Sequence, residues 1–317
     1  MKVNKPFVST LFIAGLTMIA VFFVAQNIFA MQQSIPSQVI VGAATPTPTA
    51  VTVNGGNVIT LNTNATTSVS VSATITDVNG CGEITPGTTT VLLYRGGTGT
   101  GVITSSSCMS AQNPLYCYLA NAFTTSSVCS AGSENTTTTF VLQYFAQATD
   151  VGSSYPSGTW QATVVFKTPD NTTGSADTVG VDLNTLTAIN VTTSSINYGA
   201  IAASSTTGST DSLTPVTNVG NSSTSLQVDA APTLTNTASS SETIATSSQG
   251  YYISPFTYAG SSTPLSGTAA TVTGFLLTSP TSTTNVSGTI YWGLGVPGNT
   301  PTGTYSGTNV FTALFHA

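Results

Sequence analysis

Residues 68–76 alternate strictly between small apolar side chains and hydroxyl side chains. Val69, Val71, Ala73 and Ile75 occupy every second position, and serine or threonine fills the positions between them. Because successive side chains of a β-strand point to opposite faces, this period of two predicts a half-buried strand with one apolar face. The pattern recurs along most of the chain, so the sequence predicts an all-β fold.

The alternating pattern occurs in both halves of the chain. Trp160, Ala162, Val164 and Phe166 share one face of a predicted strand in the first half. In the second half, Asn218–Asn221 carries turn residues between two alternating runs and predicts a β-hairpin. About seven short strands in each half indicate two β-sandwiches. Besides 68–76, strands are predicted at 89–95, 138–148, 159–168, 176–183, 187–193, 196–202, 211–219, 223–230, 271–278, 286–296 and 304–315.

Charged side chains are rare, at 4% of the residues against ~25% in a typical globular protein. Hydrophobic residues reach 40%, which is enough for a core and argues against intrinsic disorder. The four basic residues are Lys2, Lys5, Arg95 and Lys167, and ten acidic residues oppose them. Because nucleic-acid binding needs lysine and arginine side chains that neutralise phosphates, we expect no nucleic-acid partner.

The N-terminal segment has the composition of an export signal. Two lysines precede an apolar run over residues 7–25, and a small residue, Ala30, ends the segment. This order predicts a signal peptide at residues 1–30 that is cleaved after Ala30. The apolar run is also long enough to span a bilayer as an uncleaved anchor. In that case, residues 7–25 are the part of the chain expected to contact a membrane.

A Pro/Thr segment separates the export signal from the predicted strands. Residues 45–49 read TPTPT, which favours an extended linker rather than part of a core. All four cysteines, Cys81, Cys108, Cys117 and Cys129, fall in the first predicted sandwich. The predicted organisation is therefore a signal peptide or anchor at 1–30, a linker at 31–56 and two sandwich domains at 57–184 and 185–317.

Several short motifs resemble the immunoglobulin-like modules of secreted bacterial and archaeal cell-surface proteins. An aromatic-glycine strand, Ile196–Ile201, precedes a strand that ends in an Asn-x-Gly-Asn turn, Val216–Asn221. Gly303–Thr308 is similar to the last strand of such modules. The resemblance implies two tandem immunoglobulin-like β-sandwich domains at the cell surface, and it carries over no functional residue. Further similar positions are Leu226 in the second half, and Asp77–Gly80 and Trp160 in the first half.

The chain contains four cysteines: Cys81, Cys108, Cys117 and Cys129. Their spacing lacks the close pairs of a zinc site and the C-x-x-C of a redox site. An even number of cysteines after an export signal indicates two disulfides, so we expect neither a metal nor a cofactor here. Cys81–Cys108 with Cys117–Cys129 is the favoured pairing, and Cys81–Cys129 with Cys108–Cys117 is the alternative.

Few residues offer catalytic chemistry. His316 is the only histidine and is the penultimate residue, which is a poor position for a general base. No sequence signal brings two of Glu83, Glu134 and Glu242 together as the acid pair of a glycosidase. We therefore expect that the protein is not an enzyme. A hydrolase with an unrecognised carboxylate site is the least favoured hypothesis.

A calcium site is a minor alternative at the turn after the first strand. Asp77 and Asn79 place two oxygen ligands two residues apart, and Asp150 or Asp170 would have to join them from neighbouring loops. The simpler interpretation, which we favour, is an Asx turn that ends the strand.

The sequence favours a non-enzymatic structural or adhesion protein that is secreted or held at the cell surface. Its expected partners are cell-envelope components, surface glycans or other protein chains, including its own copies, because charge-poor strand edges pair readily. The alternative is an extracellular carbohydrate-binding module that stacks sugars on exposed aromatic rings, although core packing is the favoured role of these rings. The rings in question are Tyr251, Tyr252, Phe256 and Tyr258.

Overall fold

The computed structural model describes residues 36–84, 87–98, 102–121, 124–125, 128–230, 233–258, 260–284 and 286–316. By its contacts the chain separates into Met1–Gly42 and Ala43–Ala317. The predicted signal peptide or anchor at 1–30, including the apolar run 7–25, lies outside the described residues. Within the described ranges, no helix has the length and apolar character needed to span a membrane.

The strands of the first half form two antiparallel four-stranded sheets. Their orders are β1-β2-β6-β5 and β4-β3-β7-β8. Two short helices, α1 (Cys81–Ile84) and α2 (Ser105–Ser110), lie between strands, and Asn54–Gly56 forms a 3-10 turn. The strands are β1 (Thr47–Val53), β2 (Thr67–Thr76), β3 (Thr88–Gly97), β4 (Cys117–Ala120), β5 (Thr124–Thr125), β6 (Ser133–Leu142), β7 (Gly158–Lys167) and β8 (Thr173–Asp177).

Apolar faces of these two sheets form the first core. The alternating residues of β2 are buried on one side, as their period of two predicts. Trp160 on β7 is fully buried there, and its indole N–H donates to the Gln147 carbonyl (2.9 Å), which satisfies the one polar atom of the ring. Tyr118 packs against both Trp160 and Phe140.

The second half contains three antiparallel sheets. Their orders are β15-β14-β17-β10-β9, β16-β11-β19 and β13-β12-β18. A 3-10 turn, Thr246–Ser248, precedes β14. The strands are β9 (Ile189–Val191), β10 (Ser212–Asn218), β11 (Ser223–Ala230), β12 (Leu234–Asn236), β13 (Ser239–Ile244), β14 (Gln249–Tyr252), β15 (Thr263–Pro264), β16 (Ala270–Leu277), β17 (Val286–Leu294), β18 (Tyr305–Ser306) and β19 (Asn309–His316).

The second core lies around Trp292 of β17. Its ring contacts Tyr251 and Phe311, with ring centroids 5.7 and 5.9 Å apart. Ile290 on the same strand face is also fully buried. The all-β fold predicted from the sequence is thus confirmed, whereas the division into domains at residue 184 stays a prediction.

Several local predictions differ from the structure. Residues 47–53 of the predicted linker form β1, because Pro48, Val51 and Val53 turn their side chains inward while the strand pairs with β2. The predicted strand at 196–202 contains no strand residue. The predicted strand at 138–148 ends at Leu142, and its pairing with β2 begins earlier, at Ser133.

The hairpin predicted at Asn218–Asn221 is wrong. The strands on either side, β10 and β11, belong to different sheets, so the turn carries the chain from one sheet to the other. Asn218 fixes this crossing: its side-chain amide donates to the carbonyls of Ser222 (2.7 Å) and Thr278 (3.0 Å), and its oxygen accepts from Gly220 N–H (3.0 Å).

Candidate functional site

Two disulfides hold the loops of the first half. The structure joins Cys81 to Cys129 and Cys108 to Cys117, so the favoured pairing was wrong and the alternative is found. Strand neighbours explain this result. Cys81 follows β2 and Cys129 precedes β6, and these two strands pair directly, with Thr76 opposite Ser133. Because α2 packs beside β3 and β4, its Cys108 lies next to Cys117 at the start of β4.

The turn after β2 is the Asx turn that the sequence favoured. The Asn79 backbone N–H donates to Asp77 Oδ1 (2.8 Å), and Gly80 N–H donates to the Asp77 carbonyl (3.1 Å). Asp150 does not join this turn, since its carboxylate accepts from the backbone and hydroxyl of Thr185 (2.9 and 2.6 Å). Among the described residues, no group of three or more His, Cys, Asp or Glu side chains is arranged to hold a metal ion.

The aromatic residues at 251–258 do not form an exposed platform. Tyr251 is 2% exposed and Phe256 is also buried, which confirms the favoured role in core packing. Tyr258 is half-buried, and its hydroxyl donates to the Ser248 carbonyl (2.7 Å). Of these four side chains, only that of Tyr252 is exposed, with 37% of its surface accessible.

The candidate catalytic residues are dispersed over the fold. Glu242 lies on β13 and accepts a hydrogen bond from Asn236, while Glu83 and Glu134 belong to α1 and β6 of the first half. His316 is the last residue of β19 and is exposed opposite Ser223. These positions bring no predicted catalytic pair together.

A cleft of about 900 Å³ opens in the second half, and the sequence did not predict it. Its two sides are the irregular segment 193–203 and residues 300–309, which include β18. Leu234, Ile244 and Leu294 form an apolar floor that is buried. None of the described residues that line the cleft is charged.

Gln249 is the polar centre of this cleft. Its side chain is only 1% exposed, and its Oε1 accepts from the Tyr198 hydroxyl (2.9 Å) and from Asn309 Nδ2 (3.2 Å). Its Nε2 is buried and has no hydrogen-bond partner among the described residues. Burial also raises the pKa of Tyr198, so this hydroxyl stays protonated and neutral at ordinary pH.

The unpaired Gln249 Nε2 donor costs folding free energy. The other residues that line the cleft determine which ligand could supply its missing acceptor. A buried amide without a partner costs about 1–3 kcal/mol. The cleft therefore suits an uncharged ligand that presents a hydrogen-bond acceptor to Gln249 and apolar groups to Leu234, Ile244 and Leu294. No motif signalled this arrangement, because Tyr198, Gln249 and Asn309 are far apart in the sequence and meet only in the fold.

Comparisons with known proteins give only distant similarities. No protein-family model matches the chain, and no curated protein matches it. One similar structure is the CsuC–CsuE chaperone–tip adhesion subunit pre-assembly complex of archaic chaperone-usher Csu pili of Acinetobacter baumannii, with 9% identity over 82% of this chain and 97% of that chain and a TM-score of 0.35. Red sea bream transglutaminase is 9% identical over 84% of this chain and 30% of that chain, with a TM-score of 0.20. These values assign no family to the chain.

Proposed function

We propose that the protein is a non-enzymatic structural or adhesion protein of the cell exterior. Two disulfides in the first half support an oxidising compartment, because such bonds persist mainly in exported proteins. The single observation that carries the adhesive role is the uncharged cleft whose lining includes the unpaired Gln249 amide. That cleft is the contact site in this proposal.

An extended, uncharged polypeptide segment is the ligand that suits the cleft best. Two outermost strands border it: β18 is last in its three-stranded sheet, and Asn309 and Phe311 of β19, also outermost, line the wall. Edge strands present unpaired backbone groups that an extended peptide pairs with. Such a peptide also supplies a carbonyl for Gln249 and apolar side chains for the floor.

Cell binding by cleft variants tests the adhesive role. Ala200 is exposed and lines the cleft, so Ala200→Trp fills it from the solvent side. Gln249→Glu removes the Nε2 donor and keeps an acceptor for Tyr198 and Asn309. We expect the purified wild type to be retained on cells of the producing strain and both variants to lose at least ten-fold in retention. Val179→Trp, at an exposed site of the first half, is the matched control and keeps wild-type retention.

Equal retention of all variants would contradict the proposal, because it would show that the cleft is not the adhesive site. Loss of retention after mild protease treatment of the cells would support a polypeptide partner. Retention that survives the protease but not glycosidase treatment would instead make the ligand a glycan. Intact mass of the native chain, alkylated before and after reduction, tests export: we expect four thiols that react only after reduction.

A further inference from the structure

Two carboxylates at and just after the turn that follows β2 each have one oxygen that accepts a hydrogen bond and one that does not. Asp77 is 5% exposed, and its Oδ1 accepts from Asn79 N–H (2.8 Å). The side-chain amide of Asn79 donates to Glu83 Oε1 (2.8 Å), so this one residue connects both carboxylates. The second oxygens, Asp77 Oδ2 and Glu83 Oε2, are buried and accept no hydrogen bond from the described residues.

Buried carboxylate oxygens without a partner need a source of positive charge. A carboxylate removed from water loses several kcal/mol unless donors or a cation replace its hydration. Arg95 is engaged elsewhere, since its Nε donates to Gln147 (2.8 Å) and its guanidinium lies 3.6 Å from the centre of the Tyr155 ring. Unpaired buried groups of this kind in a native fold commonly indicate a bound ion or water.

We propose that Asp77 and Glu83 bind a calcium ion and that Asn79 holds the two carboxylates in place. Their two unpaired carboxylate oxygens are the hard, negatively charged ligands that Ca²⁺ prefers. Water and backbone carbonyls complete the six to eight ligands that the ion takes. Calcium tolerates such irregular sets, whereas Mg²⁺ demands a near-ideal octahedron. Two acidic ligands give an affinity of the extracellular class, with Kd on the order of 10⁻⁴–10⁻³ M.

The fold holds this turn in place before any ion binds. The Cys81–Cys129 disulfide fastens α1, which carries Glu83, to the chain before β6. Asp77 N–H donates to the Gly132 carbonyl (2.8 Å), and a Cβ at Gly132 would overlap the Asp77 carbonyl oxygen. Because the ligand-bearing segments are already ordered, binding an ion does not require ordering the loop.

Calcium titration of the full chain tests the site directly. Titration calorimetry with CaCl2 should give saturable binding of one ion, and thermal unfolding in millimolar CaCl2 should show a Tm a few degrees above that in EDTA. Asp77→Asn keeps the acceptor for Asn79 N–H and removes the charge, so it should abolish both responses. Glu83→Gln, at a half-buried position, should weaken binding at least ten-fold.

Asp211→Asn is the matched control. Asp211 also has one oxygen bonded to a backbone N–H, that of Phe256 (3.0 Å), and one buried unpaired oxygen. Among the described residues, no second carboxylate is joined to Asp211 through an amide, so the variant should keep the calcium response. Absence of binding heat in the wild type overturns the proposal, and so does a Tm shift that persists in both Asp77→Asn and Glu83→Gln. Equal stabilisation by MgCl2 would overturn the selectivity for calcium.

Discussion

Single residues at the edges of the sheets decide how closely segments approach each other. Gly174 on β8 is one of them, because the Pro46 carbonyl lies where its Cβ would stand. The Thr172 hydroxyl, just before β8, donates to the Ala44 carbonyl (2.9 Å), a second contact between β8 and the segment before β1. The segment before β1 therefore packs on β8 instead of serving as a free linker.

Gly174→Ala should destabilise the protein markedly. The added methyl group would overlap the Pro46 carbonyl oxygen, so the segment before β1 must move away from β8, at a cost of about 1–3 kcal/mol. Urea denaturation followed by tryptophan fluorescence measures this loss. Gly82→Ala is the control: Gly82 lies in α1 with nothing within 4 Å of a new Cβ, and its variant should unfold at the wild-type urea concentration or slightly above. Equal midpoints for both variants would contradict the close approach at Gly174.

Tyr118 should make stability depend on alkaline pH. Burial raises the pKa of Tyr118 to about 12, and a hydrogen bond from Gln143 N–H opposes part of that rise. The unfolded chain releases this proton near pH 10, whereas the folded protein keeps it. The free energy of unfolding should therefore fall between pH 10 and pH 12. Tyr118→Phe should reduce the decline in the free energy of unfolding, as measured by urea denaturation across this pH range. Half-buried Tyr198, whose pKa is also raised, should cause the remaining decline. An unchanged slope in Tyr118→Phe would assign the decline to other groups.

Among the strands, sequence alternation predicted long ones, and most of these are paired on both sides. β2, β3, β7, β10, β11, β16 and β17 all fall close to their predicted ranges, because one side of each faces a core. Alternation at 196–202 also places apolar side chains inward, but that segment lines the cleft and has no strand beside it. A period of two reports burial on one face, whereas a strand also needs a hydrogen-bonding neighbour.

The sequence could not predict the short strands or the cleft, because their local residues carry no recognisable pattern. β4, β12, β14 and β15 contain two to four residues, too few for a period to be recognised. Gln249 stands at the start of β14, and nothing in the surrounding residues marks it as buried. The disulfide pairing likewise depended on which strands are neighbours, which the spacing of the cysteines does not reveal.

The two disulfides should be reduced in a definite order because their elements shield them differently. Cys108 and Cys117, on α2 and β4, are 0% and 1% exposed, whereas Cys81 and Cys129 are both half-buried. Thiol–disulfide exchange requires access of the attacking thiolate to a sulfur atom. Limited dithiothreitol treatment of the native protein, followed by alkylation and peptide mapping, should label Cys81 and Cys129 several-fold faster. In urea both pairs should react at similar rates, and faster labelling of Cys108 in the native state would contradict the burial difference.

At the scale of the whole molecule, directed hydrogen bonds connect the segments between the two cores. Asn64 N–H donates to the Val219 carbonyl (3.2 Å), and Asp150 binds Thr185. Asn221 is the centre of this junction: its oxygen accepts from Leu186 N–H (2.6 Å), and its amide donates to the carbonyls of Ala146 (3.0 Å) and Asn184 (3.2 Å). A junction made of a few directed hydrogen bonds transmits cooperativity only while those bonds are intact.

Asn221→Ala should therefore uncouple the two halves in thermal unfolding. The change removes three hydrogen bonds and leaves buried backbone groups unpaired, which costs about 2–4 kcal/mol. Because each half retains its own core, scanning calorimetry of the variant should resolve two transitions, or a broader one whose van't Hoff enthalpy is below the calorimetric enthalpy. Asn190→Ala, an exposed position on β9, should reproduce the wild-type trace. If Asn221→Ala only shifts one sharp transition to lower temperature, the halves unfold as one unit, and the coupling must come from contacts other than those of Asn221.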